Sequence, residues 1–227
     1  MVKRALIISG LCAATLVLSN GEVRAQCAAK DVVKSSPTKE TPSRREPSNG
    51  QDRDGTPKVW KTITLGEFAN SFALRNALNA ADCGIGNLAE EAIARPAFTQ
   101  ELARTSADLV VVTPAELGLK GDSVPLREIY ARSEKLGLNL APAEVGPELR
   151  LQYFDQPVGE FLHVGMKPIA TWSGDPVIFV VANGGAGLIL IGQSARPDFQ
   201  WPSNAAFLFV RQRAIPNVAK AHALAPR

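Results

Sequence analysis

His163 is the one histidine inside the stretch whose patterning predicts a packed core, and Glu144, Glu148 and Glu160 precede it along the chain. An imidazole held by a carboxylate can act as a general acid or base, or join a metal site, so this is the pair a hydrolase would use. A single histidine among scattered carboxylates is also what a satisfied core residue looks like, and His222 reads as a surface residue of the tail. Cys83, between Asp82 and Gly84 at the start of a helical pattern, has a setting in which backbone N–H groups favour a thiolate nucleophile. A Cys83–His163 pair competes with the plainer reading of an exported thiol that is oxidised or buried. The run NGGAG, residues 183–187, has the glycines of a phosphate cradle, but such loops lead into a helix, whereas residues 188–191 resume a β pattern. It is expected to be a hairpin turn. GQSAR, beginning at Gly192, lacks the second glycine and the helix of a serine-hydrolase elbow. Trp172, Trp201 and Phe199 could line a carbohydrate or peptide groove, although core packing accounts for aromatic residues equally well. No metal-ligand set, cofactor motif or nucleotide motif is present, so neither metal nor cofactor is expected.

The element that would position most of these groups is a β-hairpin expected within residues 141–169. Leu149, Leu151 and Tyr153 alternate with Arg150, Gln152 and Phe154; after Asp155, Gln156, Pro157 and Gly159 the alternation resumes through Leu162, Val164 and Met166. Keeping the two apolar sets on one face places Tyr153 opposite Leu162 and Leu151 opposite Val164. The other face then pairs Gln152 with His163, Arg150 with Gly165 and Phe154 with Phe161. Arg150, Gln152 and His163 thereby form the expected binding residues, a donor-rich patch suited to an anionic or carbonyl-bearing ligand.

Upstream, Trp60, Ile63 and Leu65 alternate with Lys61, Thr62 and Thr64 as in a short strand, and helical spacing follows at Phe68, Phe72, Leu74 and Leu78. A second helical set from Ile85 to Ile93 stops before Pro96, and DLVVV at 108–112 reads as a buried strand. Pro125 fits the first turn of a third helix carrying Leu126, Ile129, Tyr130 and Leu136, with Gly137 ending it. Strands are then expected at 168–172, 177–182, 188–191 and 206–211. Helices first and strands later predict an α+β domain, with N-terminal helices packed on one face of a C-terminal antiparallel β-sheet.

The chain has 227 residues, 45% hydrophobic and 21% charged, enough for one core. Lys3 and Arg4, the apolar run 5–18 and the small residues around Ala25 form a secretory signal over residues 1–25, and the run is too short to span a membrane. Residues 26–58 are rich in Ser, Thr, Pro and charge and read as a disordered linker, 59–213 as a single α+β domain and 214–227 as a C-terminal tail. Removing Lys3, Arg4, Arg24 and Glu22 with the signal takes the formal charge from +3 to about +1, which predicts no nucleic-acid partner. After cleavage only Cys27 and Cys83 remain, and in an oxidising compartment a disulfide between them is open to test. The predicted location is periplasmic or secreted, with no transmembrane segment left in the mature chain.

PAEVGPELRLQY from Pro142, DQPVGEFLHVGMKPI from Asp155, ANGGAGLILIG from Ala182 and FLFVR from Phe207 resemble a family of uncharacterised bacterial proteins. The resemblance extends more weakly through GIGNLAEEAIARPAF and DLVVVTPAELGL, covering about residues 60–211. It implies no activity and transfers no catalytic residue. Similar sequences often carry Cys just before PAEVGP, where this chain has Ala141. Two functions are therefore expected in order: an exported, noncatalytic module that binds a ligand or protein partner, and, as the alternative, a cell-envelope hydrolase using His163 with a nearby carboxylate.

Overall fold

Backbone alternation and capping shape a chain whose residues 57–211 are described by a computed structural model. In order they form β1 (Lys61–Leu65), α1 (Ser71–Ala80), β2 (Gly84–Ile85), α2 (Asn87–Ala94), β3 (Thr105–Val112) and β4 (Ser123–Pro125). There follow α3 (Leu126–Lys135), β5 (Leu138–Asn139), α4 (Val145–Gln152), β6 (Phe161–Val164) and β7 (Ile169–Ala170). The last elements are β8 (Pro176–Asn183), β9 (Leu188–Ser194), β10 (Gln200–Pro202) and β11 (Ala206–Arg211). Asn70 starts α1 by accepting the Ala73 N–H at 2.9 Å. Gly137, at φ +73°, ends the turn after α3 in the left-handed region, as its place in the sequence predicts. The expected signal, nearly all of the expected linker and the whole of the expected tail lie outside the described residues.

Nine of the strands make one curled mixed sheet in the order β1-β3-β11-β6-β8-β9-β2, with β5 paired to β11 and β7 to β8. β10 and β4 form a separate two-stranded ribbon. The expected architecture of helices first, packed on an antiparallel C-terminal sheet, is overturned. Four short helices are interspersed among the strands, β1 and β3 join the same sheet as β11, and the β11–β6 and β2–β9 pairings are parallel. Sequential order misled here because the sheet is closed by long-range pairing: DLVVV lies against FLFV, with Leu109 opposite Val210 and Val112 opposite Phe207. Local patterning finds a strand but does not say which strand it meets.

Side-chain alternation along each strand divides the core into two layers. Phe179, Val181, Leu162, Val164 and Leu208 share one face, and α4 and α2 pack on it: a Cβ on Gly146 would lie 2.8 Å from Phe179 Cβ, and one on Gly192 2.7 Å from Leu88 Cβ. Val180, His163, Phe207 and Phe209 share the other face. It is covered by α3 through Tyr130, whose ring meets Phe209 edge-on at 6.1 Å, and by the ribbon through Trp201.

The expected hairpin is the second correction. Its second strand exists as β6, but residues 145–152 are helical, so the pairing of Gln152 with His163 does not form. Pro147 stands at the third helical position, where a missing N–H breaks no intrahelical bond. The alternation of leucines at 149 and 151 coincides with a helical stripe of polar residues at 144, 148 and 152, and the latter periodicity governs.

Candidate functional site

The four-residue spacing of Glu144, Glu148 and Gln152 puts all three on one side of α4, facing the outer edge of β1 and the loop after β2 and α2 that leads into β3. Gln152 accepts the Thr64 N–H at 2.9 Å and donates to the Thr64 carbonyl at 2.8 Å, a pair of bonds that a neighbouring strand would otherwise supply. One turn back, Glu148 accepts the Glu67 N–H at 3.3 Å, and at the head of the helix Glu144 accepts the Glu101 N–H at 3.1 Å on both oxygens. The helix thus serves as a side-chain substitute for the strand missing beside β1. Both glutamates are buried, and each carboxyl is pushed above its ordinary range, first by burial and further by a neighbouring acid, with the bonded backbone N–H groups opposing. Glu148 reaches about 7, with Glu67 and then Glu144 as the repelling charges. Its second oxygen, Oε2, is buried without a hydrogen-bond partner, which suits a protonated carboxyl better than a carboxylate.

Arg150 leaves the same helix on another side and is fully buried. Its guanidinium donates to Gln156 Oε1, to the Tyr153 carbonyl and, at 3.3 Å, to the Ala182 carbonyl. Gln156 in turn donates to the Val181 carbonyl at 3.0 Å and the Glu160 carbonyl at 3.2 Å. Arg150 therefore ties the C-terminal end of α4 and the loop after it to the end of β8, where its cation also complements the helix dipole. Burial lowers its pKa to about 10, against the raising influence of Tyr153 and Glu160, and it remains charged at neutral pH.

His163 lies on the other face of the sheet. Its Nδ1 is 2.9 Å from the Ala206 carbonyl, which can only accept, so the proton sits on Nδ1. The ring meets Trp201 edge-on at 4.6 Å and Phe207 at 5.3 Å, and Gln193 supplies a side-chain hydrogen bond. Burial holds its pKa below the ordinary histidine value, although both hydrogen bonds act to raise it. These partners are a carbonyl, an amide and two aromatic rings, an arrangement of packing rather than of acid–base chemistry. The structure thus sends the expected trio to three places: Gln152 to β1, Arg150 to the end of β8, and His163 to the opposite layer.

Cys83 is disulfide-bonded, its partner lying outside the described residues, and so offers no free thiol. The expected pairing of the two tryptophans in a groove also fails. Trp201 is buried among His163, Phe199 and Phe207, while Trp172 is 71% exposed beside α2, with the Arg95 guanidinium 4.0 Å from its ring centre and its backbone N–H bonded to Glu91. The glycine run does turn between β8 and β9, with Asn183 opposite Leu188. Among the described residues no three His, Cys, Asp or Glu side chains are grouped to hold a metal ion, and no helix is long and apolar enough to cross a membrane.

Sequence reasoning passed over one surface. Phe154, Val158 and Phe161 are 38%, 68% and 43% exposed, respectively, on the loop from α4 into β6. This loop docks on the glycine turn: the Gly159 N–H donates to the Asn183 carbonyl at 2.7 Å and the Asn183 N–H to the Glu160 carbonyl at 3.0 Å. Val158 Cγ1 lies 3.6 Å from where a Cβ on Gly185 would be, and Phe161 Cζ 4.0 Å from that on Gly184. These are ordinary contact distances, and they place Val158 and Phe161 beside the glycine turn at one rim. The signal in the sequence was the placement of three large apolar residues among turn-forming neighbours.

The chain matches no family model, no curated protein and no solved structure.

Proposed function

We propose that the protein is an exported, noncatalytic module that binds a ligand or a protein partner. The observation that carries this reading is the apolar rim of Val158 and Phe161 at the glycine turn, with Phe154 exposed on the same loop, where large side chains stay in water although that loop buries Tyr153 and Gln156. Clustered apolar exposure of this kind is a feature of interaction surfaces. The polar groups that would otherwise suggest catalysis are occupied internally: Gln152 with Thr64, Arg150 with Gln156 and two carbonyls, His163 with Ala206 and Gln193.

A photo-reactive residue in place of Val158, expressed in the native host with the complete chain, is expected to give a discrete adduct that F161S weakens. The same residue in place of exposed Lys120 is the control. Equal labelling from the two positions would remove the support for this rim. A hydrolytic activity of the purified protein that disappears in H163Q would overturn the noncatalytic reading. Export is checked by the mass of the mature chain, which should begin at Gln26.

A further inference from the structure

We infer that Glu144 and Glu148 form a proton-operated latch, which holds the loop at Gly66–Glu67 and the segment at Glu101 against α4 while a proton is bound and loosens them when both carboxyls ionise. The two carboxyls sit on successive turns of one helix and reach separate pieces of chain, so α4 is the common wall to which both are fastened. The fit is close: Gly66 has φ +71°, and a Cβ there would lie 2.5 Å from the Ala103 carbonyl oxygen, so the two segments touch each other as well as the helix.

The charged groups around the pair leave the proton as the means of neutralising it. Glu67 and Glu101 stand on the latched segments themselves, and Arg104 is engaged with Glu67 at 3.4 Å. On the elements packed against α4, Arg75 of α1 is paired with Glu90, Lys61 of β1 lies over the Trp60 and Tyr153 rings, and β8 and β9 carry no charged residue. Two buried carboxylates with further acids beside them repel one another, and protonating one of them relieves this. The elevated Glu148, near 7, agrees with that geometry.

The sign follows from linkage. A carboxyl whose pKa is higher in the closed state than in the open one stabilises closure fully below its ordinary value of 4.5, and this is lost as pH rises towards the closed-state value. Opening of the two segments should therefore increase at least about tenfold between about pH 5 and pH 7 and level off above.

Hydrogen exchange of the whole protein, corrected for the intrinsic pH dependence of amide exchange, reads this directly. Peptides covering residues 64–70 and 98–104 are expected to lose protection over that range while the β8 peptide does not, and E148Q is expected to diminish this pH response, most of all at residues 64–70, leaving at Glu101 the part that Glu144 contributes. Corrected protection that stays constant in the wild type, or an undiminished pH response in E148Q, would overturn the latch. A carboxyl-carbon titration of the wild type decides the matter without a variant: a Glu148 midpoint at about 6 or higher supports the inference, and one near the ordinary value of 4.5 refutes it.

Discussion

Replacing Gln152 by Ala tests whether α4 stands in for a strand. The substitution removes the bond from the Thr64 N–H and the bond to the Thr64 carbonyl, leaving both backbone groups of one residue on the outer edge of β1 without a protein partner. An unsatisfied buried polar group costs about 1–3 kcal/mol. Thr64 and Gln152 are half-buried, so water recovers part of this, and about 1 kcal/mol for each group is the appropriate end of that range. Alanine returns a few tenths through its better helix propensity, leaving a loss of about 1.5–2 kcal/mol. In urea, with a slope of about 2 kcal/mol/M for a domain of this size, the midpoint should fall by about 1 M at unchanged slope. Q152E at neutral pH should be no more stable than Q152A, because a carboxylate accepts from the Thr64 N–H but opposes the Thr64 carbonyl and adds charge one turn from Glu148. A Q152A midpoint within experimental error of the wild type would refute the strand-substitute role and reopen a binding role for this side chain.

Breaking the buried polar contacts of Arg150 should be expensive: R150A is expected to cost about 3–5 kcal/mol in chemical denaturation, and R150K should recover little because an ammonium cannot spread its donors over Gln156, Tyr153 and Ala182. G165A, which would place a Cβ 2.3 Å from Phe209 Cε1, should destabilise by at least about 1–3 kcal/mol, measurable as a fall in the thermal midpoint. His163 acts oppositely in pH to Glu148: a folded-state pKa below its ordinary 6.5 gives stability that is present above that value and lost as pH falls, so H163F should flatten that acid-side loss of stability. The mature protein, denatured without reductant, should show no free thiol if Cys27 is the partner of Cys83, and two free thiols would refute that pairing.

Most individual elements are legible from pattern because their cause is local. The segments read as helices before Pro96 and after Pro125 became α1, α2 and α3, and the runs at 108–112, 177–182, 188–191 and 206–211 became β3, β8, β9 and β11. Their arrangement was not legible, since it depends on pairings between residues far apart, such as Leu208 opposite both Val111 and Val164. Short strands were also missed. Gly84–Ile85 and Leu138–Asn139 are too brief to show a period, and exist only because β9 and β11 offer them an edge.

The expected site failed for a related reason. Arg150, Gln152 and His163 drew attention as polar residues among apolar ones, and that is equally the signature of groups that satisfy buried backbone. A single period-two assignment placed them on one solvated face. The helical period sends Gln152 to the edge of β1 and Arg150 to the end of β8, while the strand period of β6 turns His163 towards Trp201. Apart from Arg150 Nε, which is buried without a partner, their polar groups meet main-chain groups, the side chains of Gln156 and Gln193 or a packed ring, which ties these residue types to the fold whatever the protein binds. The apolar rim reverses that logic, since Val158 and Phe161 are exposed beside the glycine turn, where neither side chain is consumed by the core. Residues whose chemistry the fold leaves unused are better guides to an interaction surface here than residues whose chemistry it consumes.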